Sequence, residues 1–173
     1  MSLLKKFLGL GGEAKEEDGD TETVRRIASE LDRLPSETAK FLAAFAYVLA
    51  RVAHADLDID DAETREMERI ATSLASLSSA EAALVVQIAK TQARLLGETE
   101  NYVVTREFRN ISTREQRGNL LQCLYAVAAS DGTISGVESA EIAVIGEELG
   151  FTRAEINALR SAYRDKLSEF QKR

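Results

Sequence analysis

The carboxylates of this chain come in two sets with matching spacing. Asp56, Glu63 and Glu66 are repeated as Asp131, Glu138 and Glu141 at a constant offset of 75 residues. Val52, Ala53, Ile59 and Ile70 meet Val127, Ala128, Ile134 and Ile145 at the same offset. Oxygen donors of this kind, without a Cys or His partner, suit hard divalent cations such as Ca²⁺ or Mg²⁺. The local charge points the same way. Residues 54–68 hold seven acids and one base, and residues 130–148 hold five acids and no base. Brought together, the two stretches carry about −11, which must be spread out, screened or neutralised by a cation.

Helix caps explain part of this pattern without any ligand. Asp60 and Ser135 sit where N-caps belong, and Glu63 and Glu138 lie three residues later, completing a capping box in each repeat. Asp131-Gly132 is a turn signal by itself. Asp56 and Asp131 fit less well, because an acid at a helix C-terminus faces the negative end of the dipole. Asp56-x-Asp58-x-Asp60 begins like a calcium-binding helix–loop–helix loop. Asp61 then stands where that loop needs glycine and Met67 where it needs glutamate, so the motif is rejected. A cation site and a solvated acidic face both stay open at this point.

The elements that must position these carboxylates are helices, because the apolar period is close to 3.6 from Thr21 onward. Val24, Ile27, Leu31 and Leu34 mark a first helix, stopped by Pro35. Ser36 is expected to cap a second, running through Phe41, Leu42, Phe45, Val48, Leu49 and Val52 and apolar around much of its circumference. A third turns Met67, Ile70 and Leu74 inward. Ser78 and Glu81 box a fourth, carrying Leu84, Val85, Ile88, Leu95 and Leu96. A short helix spans 102–109. Ser112 and Glu115 are expected to cap a long one with Leu120, Leu121, Leu124 and Val127. The next holds Ile142, Val144, Ile145 and Leu149 and ends at Gly150. The last, capped by Thr152 with Glu155, holds Ile156, Leu159 and Tyr163. No segment alternates long enough to argue a strand.

The expected fold is therefore all-α: a single compact helical domain of about seven to eight helices, built from two pseudo-twofold-related halves. Neither half could bury its apolar face alone. The domain is assigned to residues 22–173, and residues 1–21 to an N-terminal arm and acidic linker. Residues 1–12 superficially resemble a signal peptide, but the apolar stretch is too short and no cleavage site follows. They read as a loosely packed arm, with contact to a membrane surface or a partner as the alternative.

Composition removes several function classes. The chain has 173 residues, with 22 Lys+Arg against 29 Asp+Glu, which argues against broad nucleic-acid binding. One Cys cannot close an internal disulfide, and one Cys with one His cannot build the usual zinc site. No apolar run is long enough for a transmembrane helix. No phosphate-cradling glycine loop and no Ser/His/Asp pattern is present, so neither an enzyme nor a small-molecule substrate is expected. His54 has no counterpart in the second repeat, where Ala129 stands, and reads as a half-buried or satisfied histidine. Cys123 aligns with Val48 and reads as a small core residue. Arg106, Arg109, Arg114 and Arg117, and later Arg160, Arg164, Lys166, Lys172 and Arg173, read as surface charges that balance acids elsewhere.

On these residues the sequence resembles the tellurite-resistance protein B (TerB) family and its TerB-like relatives. The resemblance rests on Ala55-Asp56-x-x-Ile59-x-x-x-Glu63 and Ser130-Asp131-Gly132-x-Ile134-x-x-x-Glu138, with Glu66 and Glu141 as continuations. The linking segment 101–115 is also similar, and the likeness spans about residues 22–168. It implies an all-helical domain with a divalent-cation site in its two acidic turns. Asp56, Glu63, Asp131 and Glu138 would be the first ligands, with Glu66 and Glu141 next. It also implies a bacterial, largely cytoplasmic protein linked to tellurite resistance or stress response, with membrane-associated protein partners in some systems. Leu57 departs from the pattern, standing where the family and the second repeat have glycine, so the first turn is expected to differ in shape. The resulting expectation is a non-enzymatic module that binds Ca²⁺ or Mg²⁺ and mediates protein interactions. The alternative is a metal-free helical scaffold whose acidic face docks a partner protein.

Overall fold

A computed structural model describes the backbone of residues 18–53, 60–95 and 101–171, and the side chains of 25–52, 60–91 and 104–171. Among the described residues there are eight α-helices and no strand. They are α1 (Asp18–Asp32), α2 (Ser36–Ala53), α3 (Asp61–Ala75), α4 (Ser79–Leu95), α5 (Asn101–Ile111), α6 (Arg114–Ala129), α7 (Gly136–Glu148) and α8 (Arg153–Ser161). Two short 3₁₀ turns, Arg164–Lys166 and Ser168–Phe170, follow α8.

The centre of the domain is α2. Every residue from Leu42 to Val52 is buried, Arg51 included. A helix that is apolar on nearly all sides must be surrounded, and α2 packs on α4, α5, α6 and α7. Contacts run between the sequence halves, with α3 lying on α6 and α2 touching α7. One continuous apolar core runs from Ile27 to Leu167. Phe108 of α5 enters it beside Phe41 and Phe45 of α2, with ring centroids 5.4 Å and 6.1 Å away.

The four capping boxes read from spacing at Asp60/Glu63, Ser78/Glu81, Ser135/Glu138 and Thr152/Glu155 are all formed. Helix starts differ in three places. At α6 the box is Thr113 with Gln116, because the Ser112 hydroxyl is already donated to the Phe108 carbonyl at the end of α5. At α2 the Ala39 N–H reaches the Pro35 carbonyl, so Ser36 lies within the first turn instead of capping it. At α1 the helix takes in Asp18-Gly19-Asp20, which composition assigns to the linker.

The buried face of α7 is Ile142, Ile145 and Leu149. Val144 lies off that face and is 45 % exposed, against the expectation that it points inward. The helix ends in a Schellman arrangement: the Phe151 N–H bonds the Gly146 carbonyl and the Gly150 N–H bonds the Glu147 carbonyl. Gly150 carries the φ of +92° that this ending requires. Tyr163 falls just beyond α8, where its ring stacks on that of Tyr125 at 5.7 Å. Among the described residues no helix is long and apolar enough to cross a membrane.

Candidate functional site

The first acidic turn lies between the end of α2 at Ala53 and the α3 cap at Asp60. His54, Asp56, Leu57, Asp58 and Ile59 fall outside the described residues, so the expectations for them are not addressed by the geometry. At its far edge, Asp60 Oδ1 accepts the Glu63 N–H at 2.8 Å, and Glu63 Oε2 accepts the Asp60 N–H at 2.9 Å. One turn on, Glu66 Oε2 accepts from Arg69 Nε at 2.9 Å. That guanidinium bond holds the Glu66 carboxyl below the usual carboxylate range, against a smaller opposing effect of burial.

The second turn is described in full. Asp131 is exposed, and its Oδ1 accepts the Thr133 N–H at 3.0 Å, closing a local Asx turn. Gly132 has φ +97°, the left-handed conformation expected there. Ile134 is 0 % exposed and anchors the turn in the core. Ser135 and Glu138 then complete their box at 2.8 Å and 3.1 Å.

Two features of this region carry no local sequence pattern. The first is a strap formed by residues 164–171, which lies against the turn. The Ile134 N–H reaches the Lys166 carbonyl at 2.7 Å, and the Ser168 N–H reaches the Ile134 carbonyl at 3.0 Å, forming an isolated parallel bridge to Leu167. The Gln171 side-chain amide donates to the Gly132 carbonyl at 2.9 Å, and its oxygen accepts the Thr133 hydroxyl at 2.8 Å.

The second feature is Arg51. Its Nε and Nη2 both donate to Glu141 Oε1, at 3.0 Å and 2.7 Å. Its Nη1 donates to Glu148 Oε2 at 2.6 Å and to Thr105 Oγ1 at 2.8 Å. One guanidinium thus ties α2 to α5 and α7. Arg51 falls opposite Ala126 at the 75-residue offset, so the repeat gives no hint of it. The available hint is a charged residue inside an otherwise apolar helix, with Glu141 and Glu148 seven residues apart on one helix.

This pairing changes the charge balance of the second turn. Of the five acids in residues 130–148, Glu141 and Glu148 meet Arg51, and Glu147 meets Arg153. Guanidiniums from α2 and α8 answer that part of the charge. The candidate ligands are therefore placed as follows. Glu63 and Glu138 face caps, Glu66 and Glu141 face guanidiniums, Asp131 closes its own turn, and Asp56 lies outside the described residues. Among the described residues no three His, Cys, Asp or Glu side chains come together closely enough to hold a metal ion. The second turn alone does not supply a donor set.

The other candidates take structural places. Cys123 is 1 % exposed, and burial pushes its thiol up to about 12. Arg114 pairs with Glu155 and lies 4.8 Å over the Phe151 ring. Arg117 donates to the Leu149 carbonyl at the C-terminal end of α7, where a cation is favoured. Arg160 pairs with Glu169, and Arg164 lies 4.6 Å over the Phe170 ring. Arg106 and Arg109 are exposed.

Comparison with known proteins gives one family. The family model described as "Tellurite resistance protein TerB" matches residues 41–161, which run from within α2 through the last residue of α8. No curated protein and no solved structure matches the chain. The matched stretch contains both acidic turns, Arg51 and both of its carboxylate partners, and leaves out α1 and the strap. With more than half of its length matched, the chain belongs to the tellurite resistance protein TerB family.

Proposed function

We propose that this chain is a non-enzymatic binding module that presents its acidic turns to a protein partner, with a divalent cation, Ca²⁺ or Mg²⁺, held at the first turn. The carrying observation is an imbalance between the turns. Residues 54–68 hold seven acids against one base, and Glu66 among them meets Arg69, whereas three of the five acids in residues 130–148 are met by guanidiniums from other parts of the chain. Asp56 is the first ligand of this reading, with Glu63 and Glu66 next; Asp131 and Glu138 are the candidates on the second turn. The family's description supports a role in tellurite resistance; action in stress response, in a bacterial cytoplasm and with membrane-associated partners, is part of the same proposal. The competing reading, a metal-free scaffold with an acidic docking face, is favoured by a specific fact. Glu63, Glu66, Glu138 and Glu141 already serve caps or guanidiniums.

Thermal unfolding in EDTA and in Ca²⁺, Mg²⁺, Mn²⁺ or Zn²⁺ separates the two. A cation at 100 times its dissociation constant stabilises by about 2.7 kcal/mol, which raises Tm by roughly 5–11 °C in a chain of this size. Unchanged melting in all four cations rejects the cation reading. A shift that survives Asp56→Asn together with Asp131→Asn moves the site elsewhere. If the scaffold reading is right, reversing the exposed acids Asp61 and Asp131 to Lys strips partners from the purified protein; an unchanged set of partners rejects it.

A further inference from the structure

The strap meets the second turn as a bound peptide meets the edge of a receptor. Its backbone pairs with both the N–H and the C=O of Ile134, which is strand addition reduced to a single bridge. Leu167, 2 % exposed, is its one buried side chain; Arg164, Asp165, Ser168, Glu169, Phe170 and Gln171 are all exposed. Glu169 pairs with Arg160 of α8, and Gln171 clamps the turn backbone at Gly132. Beside Leu167 a cleft of about 340 Å³ stays open between α7, α8 and the strap. Ile134, Ala143 and Ile156 form its apolar side, and Ser139, Asn157 and Arg160 its polar side. These walls lie within the family match at 41–161, whereas the strap lies beyond it.

We propose that the Ile134 edge and this cleft form a docking groove for an extended segment of a partner protein, and that residues 164–171 are its displaceable internal occupant. The strap specifies the chemistry of the ligand. An apolar side chain takes the place of Leu167, a carboxylate two residues later meets Arg160, and the open cleft admits an apolar side chain larger than leucine. Leu167 is the one buried side chain of this hold, and its other anchors are hydrogen bonds and one ion pair made by exposed residues, so opening the strap is expected to leave the helical core intact. The proposal does not rest on the cation reading, and failure of either leaves the other standing.

Two measurements on the full chain test it. Native-state hydrogen exchange follows the Ile134 and Ser168 amides, which both lie in the bridge. They are expected to exchange at least about 100-fold faster than the core amide of Leu124, through a local opening. Equal protection at all three sites overturns the proposal, because the strap then leaves only with the whole fold. A synthetic peptide copying residues 164–171 is then titrated into wild type and Leu167→Ala, with NMR shifts read at 132–135. The variant is expected to bind saturably and at least about tenfold more tightly than wild type, whose own strap competes. A peptide with Asp in the Leu167 place should not bind. A folded variant that ignores the peptide overturns the proposal, as does binding indifferent to the Asp change. Should Leu167→Ala fail to fold, Glu169→Gln replaces it with the same criteria. Dimerisation by exchange of straps between two copies would overturn the partner assignment in favour of self-association.

Discussion

Replacing Arg51 by Met is expected to destabilise the protein by about 3 kcal/mol, the low end of the range for breaking a buried ion pair. The side chain of Arg51 is 6 % exposed and those of its partners Glu148 and Glu141 are 14 % and 36 % exposed. Methionine fills much of the same volume but leaves two carboxylates side by side with no cation between them. Glu148 is too enclosed to recover its hydration, while Glu141 is half solvated, which places the estimate at the low end. In thermal unfolding the loss appears as a Tm drop of roughly 6–12 °C. Arg51→Lys should recover only part of it. A single ammonium cannot reach along the separate directions that Nε, Nη1 and Nη2 serve. Removing the charges together, as Arg51→Met with Glu141→Gln and Glu148→Leu, should restore most of the stability, since no buried charge then remains unmatched. A cost below about 1 kcal/mol for Arg51→Met would show the cluster behaving as a solvated surface pair.

Phe108→Ala is expected to cost about 3–5 kcal/mol, measured by urea unfolding. The ring is 0 % exposed and lies among Phe41, Phe45 and the core of α2. Its loss removes both the buried area and two aromatic contacts. Phe41→Ala should cost less, because that side chain is only half-buried. The more informative outcome is the coupling with Arg51. Thr105 and Phe108 stand three residues apart on one face of α5, and each holds that helix to α2. The double variant Arg51→Met with Phe108→Ala should therefore be less damaging than the sum of the two, by about 0.5–3 kcal/mol. Strict additivity would mean that α5 is not held through these two points together.

Helix boundaries were legible where a local pattern carried them. Asp60 with Glu63 and Ser135 with Glu138 are cap pairs within one turn of chain, and both boxes form as the spacing implies. Where two patterns overlapped, the local one was ambiguous. Ser112-x-x-Glu115 and Thr113-x-x-Gln116 both fit a box, and the choice falls to Thr113 because the Ser112 hydroxyl is spent on the Phe108 carbonyl one turn back. Val144 stands in the unbroken apolar run Ile142-Ala143-Val144-Ile145, and such a run does not by itself say which of its residues turn to the core. The cap partners of the carboxylates follow from local spacing, and their guanidinium partners do not. Glu141 matches Glu66 in the repeat, but its partner Arg51 is 90 residues away and unmatched at the offset. A pair of that kind exists only once α2 and α7 have met. The strap was invisible for the same reason: it has no period and no cap, and Leu167 acquires meaning only against Ile134. Asp56, the acid that caps explain least, lies outside the described residues.

The single cysteine has a kinetic consequence. Cys123 sits where α6 meets α3, with its sulfur 4.0 Å from the Ile70 carbonyl. Burial pushes its thiol up to about 12, so the closed molecule holds far less thiolate at neutral pH than an exposed cysteine would. Closed molecules are thus silent to a thiol reagent, and the chain holds no second thiol to confuse the count. With reagent in excess, the rate of labelling becomes the rate at which the α3–α6 seam parts. The protein carries its own stopwatch for core opening, placed by the same packing that makes the thiol chemically inert.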